Sequence, residues 1–125
     1  NPYNFRDQKW GSLKVAIAGP LSNFFLAVLI GLIIRLLNLP EGAAIVQFLS
    51  MIVFYNFLLA IFNLIPIPPL DGSWILFDLL PQGLGQIKFF LQQYGIFILI
   101  FLIFFGGLQE LQTLVQALYH LVTGL

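Results

Sequence analysis

Three prolines, a carboxylate and a glycine interrupt a chain that is otherwise almost continuously apolar. They fall in the segment Asn63-Leu64-Ile65-Pro66-Ile67-Pro68-Pro69-Leu70-Asp71-Gly72. The run before it, Ala43 to Ile65, is long enough to span a bilayer as a helix. The prolines therefore break a helix at or near membrane depth. Lipid cannot satisfy the backbone groups that such a break frees, so the break belongs inside protein or beside a water-filled cavity. An ionisable residue in that position is a functional-site candidate, because burying an unpaired carboxylate costs several kcal/mol. Asp71 is that residue. The competing reading of the residues is a Pro-rich turn at the membrane surface with a solvated Asp.

Composition places the chain in a membrane. It is 60% hydrophobic and only 8% charged, where soluble domains carry about 25% charged residues. Formal net charge is zero, which leaves no basic footprint for nucleic acid. There is no cysteine, so disulfides, thiolate metal sites and thiol nucleophiles are excluded. At 125 residues the chain reads as one membrane-embedded domain, residues 1–125. It begins with Asn1 and its single methionine is Met51, which reads as a processed chain or a fragment.

The predicted fold is all-α and polytopic. It has about three transmembrane helices, a Pro-broken loop and a C-terminal amphipathic helix. The first span is Leu13 to Leu37, preceded by Arg6, Asp7, Lys9 and an interfacial Trp10. It opens with a small-residue face of Ala16, Gly19 and Asn23 that predicts close packing against another helix. Arg35 near its far end is expected to snorkel to the headgroups. A turn at 38–42 follows, with Gly42 allowing unusual backbone angles. The second span, Ala43 to Ile65, carries Asn56, Ala60 and Asn63 on one face, a stripe expected to face protein or a cavity. Asn56 is expected to hydrogen-bond between helices, and Asn63, at the break, to belong to a site.

Pro66 to Pro81 is the break and a short helix starting at Asp71-Gly72-Ser73, with Asp78 read as a surface or capping residue. Gln86 to Gly106 is the third span, ended by Gly106-Gly107. Leu108 to Leu125 is amphipathic, and either lies in the interface or covers the bundle. Its polar side holds Gln109, Glu110, Gln112, Thr113, Gln116 and His120. Arg6, Lys9, Lys14 and Lys88 fall on one side of the predicted spans and Arg35 on the other. The positive-inside rule puts the N-terminus and the Pro-Asp loop toward the cytoplasm.

Two pieces of the sequence, taken together, resemble the site-2 protease family of intramembrane zinc metalloproteases. One is Ala18-Gly19-Pro20-Leu21-Ser22-Asn23 opening a span. The other is Asn56 followed by Leu59 through Gly72, with Asn63, Pro66, Pro68, Pro69, Asp71 and Gly72 in order. The opening Asn1-Pro2-Tyr3-Asn4-Phe5-Arg6 is also similar to the stretch before the Ala-Gly-Pro span in that family. The resemblance weakens after about Pro81 and is to compact bacterial members without an inserted peptide-binding domain.

The resemblance implies that Asp71 is the third ligand of a catalytic Zn2+ and that Asn63 sits at the active site, positioning substrate or stabilising the oxyanion. It also implies two histidines and a glutamate from an HExxH helix. This chain has no such motif, and its one histidine, His120, has no partner four residues away. A catalytic zinc needs three protein ligands. The chain therefore reads as the C-terminal portion of a site-2-type protease, with the HExxH helix supplied from a missing N-terminal part and the chain alone inactive. Implied substrates are transmembrane or membrane-associated proteins, and the implied location is a bacterial cell membrane crossed several times. Ile67, Leu70 and Trp74 are expected to line the site. The alternative is a non-catalytic membrane scaffold or inactive protease relative. A small transporter subunit with Asp71 as a cation site is a third reading.

Overall fold

The computed structural model describes residues 8–125. The expectations for Asn1 to Asp7, Arg6 among them, lie outside the described residues, as do those for the side chains of Lys9 and Trp10. Five α-helices follow in order: α1 (Gln8–Leu36), α2 (Ala44–Asn63), α3 (Asp71–Leu79), α4 (Gly85–Leu102) and α5 (Leu108–Thr123). No strand is present among the described residues.

Three helical segments are long and apolar enough to cross a membrane: Leu13–Leu36, Ala44–Asn63 and the kinked stretch Gln82–Thr123. The first two match the predicted spans closely, because Pro40 and Pro66 follow the ends of two long, mainly apolar runs. The turn between them departs in one detail. The positive φ belongs to Asn38, at 48°, and not to Gly42. Asparagine tolerates that left-handed region better than other side chains do.

α1 and α2 form an antiparallel pair. Its core is Ala27, Ile34, Val46, Val53 and Phe57, joined by Val115 from α5. Phe24 meets Phe57 edge to face at 5.3 Å between ring centroids. Between helices in lipid, tight van der Waals packing replaces the hydrophobic effect as the source of association. The small residues that permit such packing are Ala27, buried in the core, and Gly31. A Cβ on Gly31 would overlap the side chain of Val122, so α5 lies directly on α1 there. Arg35 then donates from Nη1 to the Leu121 carbonyl at 2.6 Å. A cation at a helix C-terminus satisfies orphan carbonyls and complements the dipole. The expected snorkelling side chain is thus a cap for α5.

The third crossing is broken where expected. Gly106-Gly107 ends the helix that α4 begins, at a kink over Ile103–Gly107 where Phe105 and Gly106 leave helical geometry and Gly106 takes φ 106°. Glycine reaches that region without a Cβ penalty. The chain bends and continues as α5. Of the two placements expected for the C-terminal helix, the one against the bundle holds. Its apolar side, Leu111, Val115, Leu118 and Val122, packs on α1 and α2.

Candidate metal and substrate site

The site grows from the way α2 ends. Pro66, Pro68 and Pro69 carry no backbone N–H, so the break has few donors left to satisfy. Short turns satisfy those that remain. Leu64 N–H donates to Ile61, Ile65 to Phe62, Ile67 to Ile65 and Leu70 to Ile67, at 2.8–3.1 Å. The backbone is thereby closed on itself where lipid could not serve it. Two glycines hold the loop in place. A Cβ on Gly72 would collide with the Leu64 and Ile65 carbonyls. A Cβ on Gly95 of α4 would stand 3.0 Å from Pro68. Ile67 and Leu70 are buried with Leu99 of α4. They anchor the loop, while Trp74 is exposed, so none of the three is shown lining a cleft.

Leu70 is the N-cap residue of α3, and Asp71 is the first helical residue. A negative side chain in the first turn complements the helix dipole. Ser73 reinforces the start, its buried hydroxyl donating to the Leu70 carbonyl at 2.7 Å. Asp71 is partly buried, and no hydrogen bond reaches its carboxylate among the described residues. Opposite it lies Gly19 of α1, where a Cβ would stand 3.6 Å from Oδ2. Gly19 is exposed. The expected tight helix contact on this face is therefore at Ala16, which is buried, while Gly19 borders open space beside the carboxylate. Pro20 removes the N–H that would serve the Ala16 carbonyl, and Ser22 Oγ donates to the Gly19 carbonyl at 2.8 Å.

Asn63 is the last residue of α2 and is partly buried. The residue after it, Leu64, packs its carbonyl on Gly72, the residue after Asp71. The two candidate residues thus flank one backbone contact. Asn56 behaves differently from expectation. Its Nδ2 donates to the Ile52 carbonyl of its own helix at 2.8 Å, not to a neighbouring helix. Ala60 between them is buried, in keeping with a stripe that faces protein.

The sequence reads Asp78 as a surface or capping residue; its Oδ2 is instead buried, with no hydrogen-bond partner among the described residues. It lies seven residues from Asp71, on the same side of α3. His120 is exposed on α5, its Nδ1 2.7 Å from the Leu125 carbonyl. It is not brought to Asp71. Among the described residues no three His, Cys, Asp or Glu side chains converge as a metal site would require. The carboxylate of Asp71, without a hydrogen bond among the described residues, fits one ligand position. The partners of Gly31 and Gly95, Val122 and Pro68, lie far along the chain, and no local pattern marks either glycine as a packing position.

The family comparison fits this geometry. Residues 37–106, from the turn before α2 through the kink, match the model for peptidase family M50. The chain belongs to peptidase family M50, the site-2 proteases. Relatives in this family include YwhC of Bacillus subtilis, named as a candidate zinc metalloprotease. It is 35% identical over 109 residues, covering 81% of this chain and 48% of YwhC. The zinc metalloprotease MJ0392 of Methanocaldococcus jannaschii is 33% identical over 64% of this chain and 23% of its own length. A candidate zinc metalloprotease of Synechocystis, sll0528, is 40% identical over 62% of this chain and 20% of its own length. The chain thus spans about half of YwhC and less of the other two M50 relatives. No solved structure gives a significant match.

Proposed function

We propose that this chain supplies part of the active site of a zinc-dependent protease that cleaves membrane-embedded or membrane-associated proteins. The observation that carries the reading is the Asp71 carboxylate. It is free of hydrogen bonds among the described residues, stands at the first turn of α3 against the broken end of α2, and faces the open side of Gly19. A partly buried carboxylate left without partners at such a break suits a metal ligand better than a structural role.

Asp71 holds one coordination position, and two further ligands and a general base come from outside these 125 residues. Zinc, when bound, supplies Lewis acidity and lowers the pKa of water to about 7. Asn63 donates from its carboxamide to the carbonyl oxygen of the scissile peptide as negative charge develops there. The proline break leaves α2 short at this level, which gives an unwound substrate segment room to approach. Gly19 keeps the opposite wall low.

The membrane is a multi-pass setting, in keeping with three segments of sufficient length and apolarity. Lys14 and Lys88 mark the Asp71 side and Arg35 the other, so the Pro-Asp loop faces the cytoplasm of a bacterial cell. The test uses the full-length protein in liposomes with a membrane-protein substrate. Cleavage should cease on chelation and return with added zinc. Cleavage that persists without metal overturns the proposal.

A further inference from the structure

We propose that the polar face of α5 is a seam through which two copies of this protein pair side by side in the membrane. The proposal rests on the helices spanning the bilayer and is independent of Asp71.

The position of α5 is fixed at three levels. Leu111 borders a cavity of about 200 Å³ shared with Phe62 and Ile65 at the broken end of α2. Val115 is buried among Ala27, Val53 and Phe57. The Leu121 carbonyl meets Arg35 at the far end of α1. α5 therefore runs antiparallel to α2 along its length, at the depth of the bilayer.

The side of α5 turned away from the bundle is polar at that depth. Gln109, Thr113, Gln116 and His120 are all exposed. At 3.6 residues per turn they fall within a strip about 60° wide. Polar side chains in spanning segments face protein or a water-filled cavity, not lipid. Glutamine, threonine and histidine at such places hydrogen-bond across helices.

The chemistry of the strip selects a second copy as the occupant. Copies of one membrane protein share an orientation, so equivalent helices meet parallel and in register. The spacing 109, 113, 116, 120 alternates four and three, the repeat of a left-handed parallel helix pair. Each carboxamide both donates and accepts, so Gln109 and Gln116 satisfy their own counterparts. Thr113 already donates its hydroxyl to the Gln109 carbonyl at 3.0 Å, and its oxygen still accepts. The carbonyl of Leu125 can only accept, so the His120 Nδ1 facing it donates and Nε2 is left for a partner. No carboxylate or lysine lies on the strip, since Glu110 sits about a quarter turn away. A strip meeting its own copy therefore brings no like charges together.

The test is disulfide cross-linking of the full-length protein in native membranes, on a background free of other cysteines. Single replacements Gln109→Cys, Thr113→Cys, Gln116→Cys and His120→Cys are compared with Leu114→Cys, Ala117→Cys and Leu121→Cys, which are exposed elsewhere on α5. Oxidation should give covalent dimers from the first set at least about tenfold more efficiently than from the second. The unmodified protein in native nanodiscs should have the mass of two copies. Equal cross-linking of both sets overturns the proposal. So does a monomeric mass, cross-linking to another segment of the same chain, or labelling of the strip by a water-soluble maleimide without dimers.

Discussion

The carboxylate of Asp71 faces the backbone of Gly19 across the α1–α3 contact, with 3.6 Å between Oδ2 and the place a Cβ would occupy. That distance is an ordinary van der Waals contact, so the glycine is not demanded by close packing. It keeps space beside the carboxylate. Gly19→Ala should therefore retain both fold and activity. Gly19→Leu fills the space and should reduce substrate cleavage strongly while leaving the melting temperature in detergent nearly unchanged. A large drop in melting temperature would show that Gly19 is a packing residue.

Gly31 is the opposite case. Its missing Cβ is occupied by Val122 of α5, and overpacking of a close contact typically costs about 1–3 kcal/mol. Gly31→Leu should lower thermal stability and loosen α5 from α1. Hydrogen exchange at the last turns of α5 is the direct readout, with protection expected to fall there first.

The orientation of the spans is open to chemical labelling. Gly42 and Gly83 each have open space around them and lie at opposite ends of the span that separates them. Gly42→Cys and Gly83→Cys should react with an impermeant thiol reagent from opposite sides of the membrane, Gly83→Cys from the cytoplasmic side. Reaction of both from one side would remove the two-span arrangement of α1 and α2.

Asn63 should be separable from metal binding. Asn63→Ala in the full-length protein is expected to keep zinc and to slow turnover about a hundred- to a thousandfold, which is roughly 3–4 kcal/mol of transition-state stabilisation. Zinc content and single-turnover rates measured on the same preparation check both halves. Loss of zinc from this variant would make Asn63 a structural support of the metal site.

Much of this was legible in the residues, for physical reasons. Apolar runs ended by Pro40 and Pro66 can only be spans and their limits, and Asp71 after a proline cluster marks a helix start. The stripe through Asn56 and Ala60 read as protein-facing from its spacing. What stayed hidden depends on partners distant in the chain. The role of Arg35 required knowing that Leu121 ends beside it. The stop at Gly106-Gly107 is readable from sequence, but the choice of α1 and α2 as the surface on which α5 packs is not. The burial of Asp78 Oδ2 depends on tertiary packing, which no local pattern records.

The metal content of the purified full-length protein bears most directly on Asp71. Zinc is measured after dialysis against a weak chelator, for the parent, Asp71→Asn and Asp78→Asn. Asp71→Asn preserves shape and removes the ligand charge, one of three protein ligands that a catalytic zinc needs. The expected result is near-stoichiometric zinc in the parent and in Asp78→Asn, and its loss from Asp71→Asn with the fold intact by circular dichroism. Full zinc retention in Asp71→Asn would contradict the assignment of Asp71 as a metal ligand.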